Sequence, residues 1–208
     1  MTRLLRMLGG LPAMLLVLAL APLAACFAAP ATETSAPPAA SAELCDRAQI
    51  FYYDWYGAPP RQKAYLHWPQ GGHTPPADLG ANFYPQLGPY SSSDPAVLQQ
   101  HMRWLRSAHI GVLCLSWWGQ GSYEDRNTPA LLDAAAHAGL KVNFHLEPYR
   151  GQTPAMLADD VAYILHRYGT HPAFYHADFL GGRPLFYIFE TLRHPAREWR
   201  PVTDRLHA

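Results

Sequence analysis

The chain is short of charge and of pattern in its charge. Its 208 residues hold 16 Lys and Arg against 16 Asp and Glu, with the basic residues scattered. A nucleic-acid surface needs them clustered on one face, so that class of partner is excluded. Metal-ligand spacing is missing too. His145 and Glu147 stand two apart, but no further strand-end His or Asp cluster joins them, and two such ligands make a weak site. A metal-dependent hydrolase is therefore a minor alternative, and neither a metal nor a cofactor is expected. Long apolar runs are confined to Leu11–Ala21. That run is too short, and too soon followed by Pro and Ala, to favour a permanent membrane span.

What Leu11–Ala21 does fit is a secretory leader. Arg3 and Arg6 precede it and small residues follow, over residues 1–25. Leu23-Ala24-Ala25-Cys26 resembles the lipobox of bacterial lipoproteins, in which cleavage before the cysteine is coupled to its lipidation. The expectation is an exported, cell-envelope protein, anchored to the membrane through a lipid on Cys26. Ordinary cleavage at Ala28 to Ala31 is the alternative. Residues 26–44, rich in Ala, Pro, Ser and Thr, lack the large apolar side chains that could offset the entropy of ordering them. They form a tether, and the folded domain spans 45–208, about 160 residues, enough for one core. Cys114, inside the apolar stretch Ile110–Trp118, is expected as a buried thiol. Export permits a disulfide to Cys45, whose geometry sequence alone does not establish.

Aromatics are the surplus, with six Trp and twelve Tyr. Several adjoin Gly, Pro or Ser, where chains turn at the surface. Stacking on the C–H faces of sugars would use them, as would plain packing. The stretch Leu140–Tyr149 concentrates the polar candidates. Val142, Phe144 and Leu146 alternate with Asn143, His145 and Glu147, so a strand puts the latter three on one face, and Pro148 ends the ladder. If that strand is parallel, its carboxyl end is where α/β folds bind ligands, with His145, Glu147 and Tyr149 at the mouth. Simple solvation of a strand end is the competing reading.

The rest of the chain repeats this unit. Strands are expected at Ile50–Trp55, Ile110–Trp117, Leu140–Tyr149 and Leu185–Glu190. Between them fall helices begun by Asp94-Pro95, Thr128-Pro129 and Thr153-Pro154, each a cap residue followed by proline. A fourth helix with a poor apolar stripe covers Pro195–His207. The long segment Arg61–Ser93, holding His67-Trp68 and Asn82-Phe83-Tyr84-Pro85, is too long to be an idle loop. Four consecutive βα units imply a parallel sheet, either half of an eight-fold barrel or a small open sheet.

Phe51-Tyr52-Tyr53-Asp54-Trp55-Tyr56-Gly57, His67-Trp68, Asn82-Phe83-Tyr84-Pro85, Tyr90-Ser91-Ser92, Leu115-Ser116-Trp117-Trp118-Gly119 and Phe144-His145-Leu146-Glu147-Pro148-Tyr149 together resemble glycoside hydrolase family 99, the endo-acting α-mannosidases and α-mannanases. His171-Pro172-Ala173-Phe174-Tyr175 and Pro184-Leu185-Phe186-Tyr187-Ile188 continue the match, over roughly Ile50 to Glu190. The resemblance implies a (β/α)8 TIM barrel, of which this chain holds the first four units. It also implies retaining hydrolysis of internal α-mannosidic bonds, by one glutamate that helps the substrate's own 2-hydroxyl attack and a second that protonates the leaving oxygen. Substrate contacts are expected from Tyr53, Trp55, Tyr56, His67, Trp117, Trp118, His145, Glu147 and Tyr149. The Ser-Trp-Trp-Gly turn looks more like bacterial members acting on mannan than like animal Golgi members.

One departure tempers this. The family's catalytic glutamates belong to an Asn-Glu-Trp-x-Glu-Gly motif that these residues do not contain; Arg197-Glu198-Trp199 shares only the Glu-Trp pair. No catalytic residue is therefore assigned, and the expectation is a truncated, inactive family member that contacts mannose-containing oligosaccharide or polysaccharide. Asp54, Glu147 and Glu190 near strand ends are the carboxylates a rebuilt mechanism would need, about 5 Å apart in a retaining pair. A glycan-binding lipoprotein that holds mannan without cutting it is the non-enzyme alternative.

Overall fold

A computed structural model describes residues 44–207. The expected leader, its Cys26 lipidation site and nearly all of the tether lie outside the described residues.

Four parallel strands form the main sheet: β1 (Cys45–Tyr52), β2 (Ile110–Trp117), β3 (Lys141–Leu146) and, after a two-stranded ribbon of β4 (His176–Ala177) and β5 (Arg183–Pro184), β6 (Phe186–Ile188). The order β1-β2-β3-β6 follows the chain without reversal. An open doubly wound sheet reverses direction at a switch point, whereas a barrel adds each strand beside the last. The sheet is thus half of a barrel, with β1 and β6 at its edges.

Three helices cover one face. Helix α1 (Pro95–Ser107) starts at Asp94, whose carboxylate accepts from Ala96 N at 2.8 Å, and α3 (Pro154–Tyr168) starts at Thr153, whose hydroxyl accepts from Met156 N at 3.3 Å. Their inward residues Leu98, Met102, Leu157, Val161 and Ile164 join Leu131, Leu132 and Ala135 from the intervening helix against Leu113, Leu115, Trp117, Val142, Phe144 and Leu146 of the sheet. Helix α4 (Ala196–His207) lies beside α3, where Arg205 pairs with Asp159 at 2.8 Å and Val202 is buried.

Helix α2 corrects the expectation from sequence. It spans Tyr123–His137, capped by Ser122 Oγ accepting from Asp125 N at 3.1 Å, so Pro129 sits inside it rather than at its start. An interior proline leaves the carbonyl four residues back without its helical donor. Here that carbonyl belongs to Asp125, and the Tyr168 hydroxyl from α3 donates to it at 3.3 Å. Strand β1 also starts and ends earlier than expected, because Tyr53, Asp54 and Trp55 leave the ladder for the loop, and the fourth strand shrinks to Phe186–Ile188. Cys45 and Cys114 are both free thiols, the first exposed and the second buried, and burial pushes the Cys114 thiol up to about 11.

Candidate functional site at the carboxyl edge

The face of the sheet away from the helices would line the lumen of a closed barrel. The parallel register sets Phe51 beside Cys114, Cys114 beside Asn143, Ser116 beside His145 and His145 beside Tyr187. Near the amino ends, the Gln49 amide oxygen accepts from Asn143 Nδ2 at 2.9 Å, the Tyr187 hydroxyl at 3.2 Å and the Cys114 thiol at 3.4 Å. One side chain thereby ties all four strands. Above it the face is open: Phe51, Tyr187 and Phe189 are exposed.

Toward the carboxyl edge the polar candidates converge. Ser116 Oγ donates to Glu147 Oε1 at 2.7 Å and accepts from Trp118 Nε1 at 3.1 Å. His145 Nδ1 lies 3.1 Å from the same Glu147 oxygen, off the line of a hydrogen bond. Phe51 and Phe189 flank the imidazole, with ring centroids at 4.7 and 5.5 Å. Trp118 approaches Trp55 at 6.0 Å, and Trp55 stacks on His67 at 4.4 Å with 7° between the planes. His67 has φ of 62°, a left-handed backbone costing a non-glycine residue about 1–2 kcal/mol. The stack and a 2.7 Å hydrogen bond from Gln70 Nε2 to His67 Nδ1 hold it there. Burial holds the His67 imidazole below its ordinary range, although Glu124 opposes this, so the ring is a neutral stacking partner near pH 7. Tyr53 completes this group, 4.9 Å from Trp55.

Tyr149 stands apart on the outer side of the edge. Its hydroxyl donates to Asp160 at 2.6 Å, and its ring lies so close to Gly119 that a Cβ there would meet it at 3.1 Å; Gly119 also has φ of 102°. Burial and the Asp160 carboxylate push this phenol well up. With Trp118, Gln120, Met156 and Asp160, Tyr149 lines a depression of about 340 Å³, while Trp55, Tyr65, His67 and Tyr123 line another of about 540 Å³. A larger depression, about 890 Å³, opens at the amino ends of the strands beside Cys45 and Lys141, away from the edge where barrels bind their ligands.

Two of the expected contacts also pack the protein itself. Trp117 is fully buried on the helix side, where its indole donates to Asp125 at 3.1 Å; strand alternation sends Ser116 and Trp118 to the open face and Trp117 to the core. Tyr56 stacks on the buried Trp68 at 4.1 Å and helps anchor the Arg61–Ser93 segment. Of the loose carboxylates, Glu190 is turned to Arg193 at 3.5 Å. Asp54 is fully buried with neither oxygen partnered, and burial, with Glu124 adding, raises its carboxyl well above the usual range. Ser116 is absent from the contacts expected from sequence, although its parity with Trp118 and its place beside His145 are signals the residues carry. Among the described residues no three His, Cys, Asp or Glu side chains are grouped to hold a metal ion.

The model of glycosyl hydrolase family 99 matches residues 43–204. The chain belongs to this family. Among curated relatives, the glycoprotein endo-alpha-1,2-mannosidase of Xenopus laevis is 45% identical over 68% of this chain and 37% of its own length. The glycoprotein endo-alpha-1,2-mannosidase-like protein of Homo sapiens is 40% identical over 78% of this chain and 41% of its own. A solved family 99 endo-alpha-mannosidase from Bacteroides thetaiotaomicron superposes with a TM-score of 0.69 at 39% identity, over 75% of this chain and 48% of that one. The chain thus spans about two fifths of the length of the curated relatives it matches, and its half-barrel corresponds to under half of a complete family 99 structure.

Proposed function

We propose that residues 44–207 form the glycan-holding part of an endo-α-mannosidase-type site, with a mannose-containing oligosaccharide or polysaccharide as ligand. The observation that carries this reading is the Trp118–Ser116–Glu147 hydrogen-bond chain at the carboxyl edge, an aromatic face beside a buried carboxylate. Sugars are bound by that pairing: the ring stacks on the C–H face and the carboxylate takes hydroxyl protons. Tyr53, Trp55 and His67 extend the aromatic surface, and the family membership supplies the sugar's identity.

The same geometry argues that these residues bind without cutting. A retaining pair needs two carboxyl groups about 5 Å apart flanking one bond. Glu147 is engaged by Ser116, Asp54 is sealed from solvent, and Glu190 faces Arg193. Incubating the chain with α-mannan oligosaccharides and following the products by mass spectrometry tests this. Recovery of intact ligand, with saturable binding in parallel, supports the reading, and release of shorter oligosaccharides overturns it. Attachment to the cell envelope through lipidated Cys26 is the second part of the proposal, resting on Leu23-Ala24-Ala25-Cys26. Mass spectrometry of the protein extracted from membranes decides it, since an unmodified amino terminus within Ala28–Ala31 excludes the anchor.

A further inference from the structure

Ser116 is fully buried and has one hydroxyl proton. An indole N–H can only donate, so the 3.1 Å contact from Trp118 Nε1 makes Ser116 Oγ the acceptor there and directs its proton to Glu147 Oε1 at 2.7 Å. The direction of the chain is fixed from Trp118 through Ser116 to Glu147. His145 Nδ1 approaches the same Oε1 at 3.1 Å, so both neighbours fall on one carboxylate oxygen and leave Oε2 for a sugar hydroxyl. The Trp118 N–H is consumed by the serine, and the indole is offered to the ligand by its face.

We infer that Ser116 is a positioning residue of the glycan site: its hydroxyl joins the Trp118 ring and the Glu147 carboxylate into one unit, so that a change at either end is transmitted to the other. The ligand rests on the glycan reading above, but the relay is a property of the unliganded chain and is tested without sugar. The readout is the indole N–H region of a ¹H–¹⁵N correlation spectrum of the whole chain, whose six tryptophans are assigned at Trp118 by Trp118→Phe. Glu147→Gln is expected to shift the Trp118 signal. In a Ser116→Ala background the same Glu147→Gln leaves that signal in place, and Ser116→Thr, which keeps the hydroxyl, restores the response. A Trp118 signal that ignores Glu147→Gln, or that moves equally without the Ser116 hydroxyl, overturns the relay. If Ser116→Ala loses its native circular dichroism, Glu147→Gln alone still decides, because an unmoved signal refutes the inference.

With α-mannose oligosaccharide added, Ser116→Ala weakens binding about five- to tenfold, the loss of one buried hydrogen bond, and Ser116→Thr recovers it. Equal affinity in Ser116→Ala contradicts the positioning role. An unaltered chain that binds no such sugar refutes the glycan reading, while the sugar-free spectra still decide whether the relay exists.

Discussion

The two faces of the sheet solve opposite problems with similar residues. On the helix side a buried carboxylate is saturated: Asp125 accepts from Trp117 Nε1 at 3.1 Å and from the Tyr163 hydroxyl and Gly121 N at 2.9 Å, and the Tyr168 hydroxyl, whose one proton is shared with the Asp125 carbonyl, lies 3.1 Å from it. On the open face and its carboxyl edge, polar atoms of Asp54, Trp55, Asn143 and His145 are buried without a partner, and Phe51 and Phe189 are exposed. Stable cores leave few polar groups unmatched. The contrast places stability on one side of the sheet and leaves the other side to the binding role proposed above.

The contrast breaks if the wrong side proves fragile. Asp125→Ala strands the Trp117, Tyr163 and Gly121 donors and is expected to cost about 3–5 kcal/mol, read by urea unfolding. Phe144→Ala, in the core between Tyr168, Phe174 and Phe186, follows at about 3–5 kcal/mol. Phe51→Ser on the open face changes stability by only about 0.5 kcal/mol. A Phe51 effect as large as that of Phe144 would erase the distinction.

Asp54 sharpens it through pH. Its carboxyl is raised in the folded chain by burial, and then by Glu124, above the ordinary value of 3.8 that it regains on unfolding. Above pH 3.8 the unfolded state therefore binds fewer protons at this position than the folded one, and stability falls as pH rises toward the folded pKa. Asp54→Asn is expected to flatten that decline above about pH 4 in thermal melts. An unchanged slope would show that Asp54 finds a partner in solution. Trp118→Ala, which removes one hydrogen bond to the buried Ser116, is expected to cost about 1 kcal/mol.

Much of this organisation is legible in the residues, and the exceptions share a cause. Strand β2 falls at Ile110–Trp117 as its unbroken apolar run implies, and Asp94-Pro95 and Thr153-Pro154 open helices as cap and first-turn residues do. Thr128-Pro129 looks the same and is not, because the interior Pro129 depends on a hydroxyl from Tyr168, forty-three residues from the Asp125 carbonyl it satisfies. The first strand's polar opening, Cys45-Asp46-Arg47, has no apolar alternation, and a register shift between Cys45 and Gln49 hides it further. The short ribbon of β4 and β5 leaves too few residues for any period. At the site, His145, Glu147 and Trp118 are legible from alternation and position, and the same alternation carries the signal that Trp117 faces the core; what no local pattern reveals is the Asp125 carboxylate that accepts its indole N–H.

The central claim is that the carboxyl edge holds a mannose-containing glycan through Glu147 and Trp118. Isothermal titration of an α-mannose oligosaccharide into the unaltered chain, Glu147→Ala and Trp118→Ala tests it most directly. The account predicts saturable binding by the unaltered chain and affinity at least about tenfold weaker in both variants, with the melting temperature of Trp118→Ala lowered by only about 2–4 °C. Equal affinity in all three, or no binding by the unaltered chain, would contradict it.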